Sequence, residues 1–257
     1  MARAVYEIQD AGLVATGLAR GPWDPNAQHG GAPAAVLMRA FEGCEPNPSL
    51  AIARVTYELL RPVPLGELHA SASLTRPGRR VQLLEGSLVT PDGIEVVRAR
   101  ALRVARAEVE GGPETPPPPG PEQGRSNDFA RGELELFPTD AMEIRFVNGG
   151  FYELGAATAW FRLRVPVVEG EDPSGLQRLA AAADFPNGIA SEVGWDEYVF
   201  INPDLTLYIE REPLGEWICL DARMRVAAGS AGFSEAVLYD SQGRVGRSLQ
   251  SLYVARR

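Results

Sequence analysis

The sequence contains no lysine; all 25 of its basic side chains are arginine. That excludes a Schiff-base or cofactor-anchoring lysine and the phosphate-binding lysine of a P-loop. There are only two histidines, His29 and His69, and two cysteines, Cys44 and Cys219. So few ligands, so spaced, exclude the usual zinc sites of four cysteines or of paired cysteines and histidines. They also exclude an H-E-x-x-H motif; a site built only from carboxylates stays open, but nothing points to one and no metal is expected. Neither histidine accompanies a serine in a Gly-x-Ser-x-Gly setting, so a Ser-His-Asp hydrolase is not indicated. No apolar run approaches the roughly 20 residues that span a bilayer, and no apolar leader follows Met1. The expectation is a cytoplasmic protein with reduced thiols and no membrane association. A net charge of −9 offers no basic field, so no nucleic-acid partner is expected. Arginine without lysine, beside abundant Ala, Gly and Pro, fits a GC-rich bacterial genome.

With 257 residues and 45% hydrophobic side chains, the chain can bury a sizeable core in one large or two small domains. The strongest punctuation is Gly111-Gly112-Pro113-Glu114-Thr115, followed by four prolines, Gly120 and Pro121. Such a run cannot join a helix interior or a central strand and favours extended backbone. It divides the chain into an N-terminal unit over 1–110, a linker over 111–125 and a C-terminal unit over 126–257. The two units repeat each other. Pro-Leu-Gly-Glu occurs at Pro64 and again at Pro213. Pro91-Asp92-Gly93 is matched by Ser241-Gln242-Gly243, and a last apolar segment follows each turn. The same turns at the same spacing argue for an internal duplication.

Each unit reads as one principal helix with several antiparallel strands. Pro33 suits a first helical turn, and Val36, Leu37, Ala40 and Phe41 form an apolar stripe, which predicts a helix over 32–42 ended by Gly43. Strands are expected over 51–60, 67–76, 80–90 and 94–105. In the second unit strands are expected near 142–148, 157–168, 198–210, 216–226, 233–240 and 245–255. A helix is expected over 173–183, with Asp172 as N-cap and Pro173 in its first turn. The fold class is α+β, two tandem units of a curled antiparallel sheet wrapped around a helix.

Three segments together carry a resemblance. They are His29-Gly30-Gly31-Ala32-Pro33-Ala34-Ala35, then Ala183-Asp184-Phe185-Pro186-Asn187-Gly188, then the tail from Arg211-Glu212-Pro213-Leu214-Gly215-Glu216-Trp217 to Ser248-Leu249-Gln250-Ser251. In this order the chain resembles the fused double-hotdog acyl-CoA thioesterases, the type II medium-chain group and its relatives. The resemblance implies a double hotdog fold, an acyl-CoA substrate and no cofactor beyond the coenzyme A of that substrate. It also leaves room for a homo-oligomer built on the fused pair. The family's catalytic Asp, Gln and Thr fall on Asp184, Gln250 and Asn202. Asn202 is a departure from the family's Thr; Thr206, four residues on, is a candidate replacement.

The residue types suit thioester hydrolysis. A thioester needs an oriented water, a base and oxyanion stabilisation, but no strong acid. Asp184 could be the base, its pKa raised by apolar neighbours. Gln250 and Asn202 could hold water without titrating. The amides at Gly30 and Gly31 could approach a carbonyl at a helix N-terminus, with His29 beside them touching substrate. Each residue also has a plain structural reading: Asp184 as a turn residue, Gln250 as an ordinary strand residue, Asn202 as a turn residue before Pro203, and the glycines as loop tighteners. His69, Cys44 and Cys219 are read as structural, and Arg76, Arg79 and Arg80 as solvated hairpin arginines that could meet phosphates. The rival reading is a catalytically weak or silent acyl-CoA-binding module, motivated by Asn202. A hotdog hydratase is disfavoured, because such enzymes pair Asp with His and no histidine lies near Asp184 in the sequence.

Overall fold

The computed structural model describes residues 3–9, 12–106, 115–127, 129 and 132–257. The N-terminal unit comprises β1 (Tyr6–Gln9), β2 (Gly12–Ala15), α1 (Gly31–Gly43), β3 (Leu50–Leu59), β4 (Gly66–Arg76), β5 (Val81–Val89) and β6 (Glu95–Ala105). The C-terminal unit comprises β7 (Arg125–Ser126), β8 (Met142–Asn148), β9 (Ala157–Leu163), α2 (Gly175–Ala182), α3 (Pro186–Ile189) and β10 (Tyr198–Ile201). It continues with β11 (Asp204–Ile209), β12 (Ile218–Val226), β13 (Gly232–Asp240) and β14 (Gly243–Arg256). The strands form one antiparallel sheet in the order β1-β2-β4-β5-β6-β3-β11-β14-β13-β12-β9-β8-β7, with β10 pairing β14. Among the described residues no helix is long and apolar enough to cross a membrane.

The sequence duplication becomes an internal twofold. The units meet where β3 pairs β11, and Thr56 there faces Thr206, 150 residues away, with their hydroxyls 3.1 Å apart. The separation of these two residues is also that of Pro91-Asp92-Gly93 from Ser241-Gln242-Gly243. On the inner side of the sheet α1 and α2 lie antiparallel. Gly31 at the start of α1 approaches Ala181 at the end of α2, and Glu42 near the end of α1 accepts hydrogen bonds from Ser174 and Gln177 at the start of α2. Helix α1 is buried along most of its length rather than on one stripe, as a helix enclosed by sheet must be.

Several expected elements shift. Helix α2 begins at Gly175, not at 173, because Ser174 rather than Asp172 is its N-cap and accepts from the Gln177 N–H. The strand expected over 157–168 ends at Leu163. The strand expected over 198–210 is two strands broken at Asn202-Pro203, because Pro203 has no N–H for a central ladder. Strands β1, β2 and β7 are additional; they are too short to show a period. Of the segment expected as a linker, residues 111–114 lie outside the described residues. Its remainder runs along the C-terminal unit, where Trp160 donates to the Pro119 carbonyl (2.7 Å) and Arg125 begins β7.

The Arg-Pro turn at 211–215 is held from below by Asp240, which has no solvent-exposed surface. Its carboxylate takes two bonds of 2.5 Å from Arg211 and the backbone N–H groups of Leu214 and Gln242 at 2.8 Å. Burial alone would raise the Asp240 carboxyl; the arginine and the two amides overcome it and hold its pKa below the usual value. Arg211→Ala is expected to cost about 2 kcal/mol in urea denaturation at pH 7, less than a fully buried pair because Arg211 retains water contact. The loss should shrink at acid pH, once even the depressed Asp240 carboxyl takes up a proton.

Candidate active site

The break between β10 and β11 has a consequence beyond the sheet. It lets the Asn202 side chain turn inward to the end of α2, where Asp184 sits in the bend between α2 and α3. Asp184 is 6% exposed. Its Oδ1 accepts from Asn202 Nδ2 at 2.8 Å and from Gln250 Nε2 at 3.0 Å. Gln250 projects inward from β14 and is wholly buried. On the other side, the backbone N–H groups of Gly30 and Gly31, at the start of α1, bond the same carboxylate. His29 Nδ1 lies 3.3 Å from Asp184 Oδ2 and also accepts from the Gly31 N–H at 3.1 Å. All six residues singled out in the sequence therefore meet at one point, drawn from α1, the α2–α3 bend, the β10–β11 break and β14.

The electrostatics follow from burial. Desolvation pushes the Asp184 carboxyl up from 3.8 to about 7, although Asn202, Gln250 and the two glycine amides all favour the charged form. Burial pushes His29 the other way, from 6.5 down to about 3. At neutral pH the imidazole is uncharged, so its contact with Asp184 is a neutral one rather than an ion pair. The ring is held between Phe137 (centroids 5.1 Å) and Phe185 (4.4 Å).

Two expectations change. A histidine does lie beside Asp184: His29 is remote in sequence but adjacent in space. Thr206 does not reach Asp184; its hydroxyl faces Thr56 on the pseudo-axis, while Asn202 occupies the contact. One further residue belongs to the cluster. Asn187, in the first turn of α3, donates to Asn202 Oδ1 at 3.2 Å. That bond orients the Asn202 amide so that its NH2 faces Asp184. Asn187 falls three residues after Asp184, and its nearness to that residue in the chain was the signal available in the sequence.

Asp184 and Asn202 open onto a cavity of about 390 Å3 whose walls include Trp23, Gln28, Leu59, Arg61, Val63 and Pro203. Arg76, Arg79 and Arg80, at the β4–β5 hairpin, do not line it. The internal twofold places a second hollow of about 410 Å3 at Ala51, Ile52 and Ala53. There the register of β3 with β6 sets Ile52 where Asn202 stands and Ala101 where Gln250 stands. Only one of the two related hollows has the polar set. Among the described residues no group of three or more His, Cys, Asp or Glu could hold a metal ion.

Comparison with known proteins agrees with this architecture. Residues 19–104 match the acyl-CoA thioesterase N-terminal domain, and residues 109–254 match the acyl-CoA thioesterase C-terminal domain. A conserved hotdog-fold protein of unknown function from Alicyclobacillus acidocaldarius superposes with a TM-score of 0.74 at 15% identity, over 98% of this chain and 95% of its own. The TesB protein of Mycobacterium avium subspecies paratuberculosis gives 0.70 at 15% identity, over 97% and 95%. The acyl-CoA thioesterase II TesB2 of Mycobacterium marinum gives 0.63 at 17%, over 90% of each chain. At these identities the structures share the fold. No curated protein matches the chain in sequence. The two family matches together cover nearly the whole chain, and by them this protein belongs to the double-hotdog acyl-CoA thioesterase family.

Proposed function

We propose that the protein hydrolyses an acyl-CoA thioester to the free acid and coenzyme A, with Asp184 as general base. The observation that carries this reading is the buried Asp184 carboxylate, poised near neutrality at the edge of a 390 Å3 cavity. Gln250 adds a second feature: its Nε2 is committed to Asp184, while its Oε1 is buried with no partner. A water between them can donate one hydrogen to Gln250 Oε1 and the other to Asp184. As the water attacks the carbonyl carbon, Asp184 takes its proton. Negative charge then leaves Asp184 and appears on the thioester oxygen. The Gly30 and Gly31 amides, at the positive end of α1, still have an anion beside them and can follow that charge. Collapse breaks the C–S bond, and Asp184 returns its proton to the departing thiolate. Asn202 keeps the carboxylate aligned, and Asn187 keeps Asn202 aligned.

The test is thiol release from a panel of acyl-CoAs of increasing chain length. Release establishes the activity; tight acyl-CoA binding without release by the folded protein identifies a silent binding module instead. Gln250→Leu, which removes the water acceptor and one carboxylate donor, is expected to lower kcat by about 100-fold with little change in KM. An equal rise in KM with kcat unchanged would assign Gln250 to substrate binding.

A further inference from the structure

Beside the catalytic residues lies a group of aromatic rings that the hydrolytic step does not use. Trp23, in the loop before α1, stacks face to face on Trp195, in the loop after α3, with centroids 4.5 Å apart and planes 9° apart. Phe200 meets both indoles edge-on, at 5.2 and 5.0 Å. Phe129 stands edge-on to Trp195 and to Phe151, at 6.3 and 4.9 Å. Phe185, whose ring lies tilted against His29, forms the side toward Asp184. Trp23, Trp195, Phe129, Phe151 and Phe185, together with Gly188, line a space of only about 20 Å3. Gly188 leaves that space open: a Cβ there would lie 3.8 Å from Trp195 and 3.9 Å from Phe151, ordinary contact distances.

Trp23, His29 and Asn187 line both this small space and the 390 Å3 cavity. The two are therefore neighbours separated by Trp23. Of the stacked pair, Trp23 is the outer ring, 36% exposed and carried by a loop. If it swings outward, the spaces join, and the face of Trp195 is uncovered within reach of the Asp184 site.

We infer that this aromatic cage is the acyl-group subsite and that it selects thioesters whose acyl group carries a flat aromatic ring. The inference rests on the hydrolase reading and names its substrate class. A substrate ring can take the place of Trp23 on the face of Trp195 and meet the edge of Phe200. The ring packing given up when Trp23 leaves is then restored, because aromatic pairs favour stacked and edge-on arrangements. A linear alkyl chain would part the same indoles without restoring that packing and would forfeit more rotamer freedom on being confined.

Phenylacetyl-CoA and octanoyl-CoA carry acyl groups of equal carbon number and make the comparison. The expected kcat/KM favours the aryl substrate by at least tenfold. Trp195→Ala should bring the ratio to about one. Trp195→Leu, which keeps an apolar wall and guards against misfolding, should do the same. Trp23→Ala should leave the aryl preference in place, since the substrate ring displaces Trp23. Calorimetric binding of the non-hydrolysable thioethers S-phenylethyl-CoA and S-octyl-CoA provides a readout independent of turnover. The aryl thioether is expected to bind at least tenfold more tightly to the wild type and to lose that advantage in both Trp195 variants. Equal or tighter binding of the octyl compound, or an aryl advantage that survives in both Trp195 variants, overturns the inference. Absence of thiol release from either thioester, with the binding difference intact, would strike the hydrolase reading and leave the aromatic subsite standing.

Discussion

Asp184→Asn is expected to reduce thioester hydrolysis by about 1000-fold while the protein remains folded. Positioned general bases contribute about 100- to 10,000-fold, and an amide of the same shape cannot accept the proton from water. Asparagine can still accept from Asn202 and Gln250 through its oxygen, so the surrounding network retains most of its geometry. The same carboxylate predicts the pH profile. In the proposed mechanism the active form is ionised, so kcat/KM of the wild type should rise with pH and level off above about 7, the value to which burial raises Asp184. A profile flat from pH 5 to pH 8, or a variant with unchanged turnover, would remove Asp184 from the chemistry.

Stability should move in the opposite sense. The folded pKa of Asp184 lies above its unfolded value, so its contribution to stability is present below about pH 4 and is lost as pH rises through about 7. Ionising it in the folded state means holding a charge away from water. Asp184→Asn carries no such cost. Between about pH 4 and pH 8 the difference in unfolding free energy should shift in favour of the variant by on the order of 4 kcal/mol. His29 acts oppositely. Its pKa is depressed on folding, so its contribution is present above about 6.5 and is lost as pH falls toward about 3. Urea denaturation of wild type and variant across this range separates the two groups, because only the Asp184 contribution disappears in the variant.

Gly31→Ala should be strongly damaging. A Cβ there would lie 2.4 Å from the backbone carbonyl oxygen of Ala181. A flexible side chain could step aside, but a helix carbonyl cannot, so α1 and α2 must separate along the centre of the fold. Overpacking in a core typically costs about 1–3 kcal/mol, and a rigid backbone obstacle places this change at about 3 kcal/mol. For a chain of this size that is a fall in Tm of about 10 °C. Gly30→Ala should differ in kind. Its Cβ would meet the Asp184 carboxylate, 2.6 Å from Oδ2, so it should displace the base and depress activity more than stability. Gly30 has an ordinary φ of −60°, and there the requirement for glycine is space rather than backbone conformation. A Gly31→Ala protein with wild-type Tm and activity would show that the helices are not in close approach.

Much of the architecture was legible in local pattern. The apolar run from Ala32 to Phe41 and the punctuated strands of both units follow from period and turn chemistry, which act over a few residues. The repeated turns announced the duplication, and the offset between Pro91-Asp92-Gly93 and Ser241-Gln242-Gly243 reappears in the pairing of Thr56 with Thr206. Pro203 was also legible as a strand breaker. It divides the single strand expected over 198–210 into β10 and β11, and that division is why Asn202 can turn toward Asp184. The helix start at Ser174 was harder to see, because Asp172, Pro173 and Ser174 are all favourable there and only the Gln177 N–H decides between them.

Composition limits the available chemistry, with no lysine and too few histidines and cysteines for a usual zinc site, and the resemblance points to Asp184, Asn202 and Gln250. Tertiary structure alone decided that His29 touches Asp184, that Asn187 steadies Asn202, and that two tryptophans from separate loops close an aromatic cage. It also decided the protonation of the site, with Asp184 raised and His29 lowered. The physical reason is that periodicity and turn preference are short-range, whereas desolvation depends on every segment that packs around a group. The residues that exclude water from Asp184 arrive from both units of the chain.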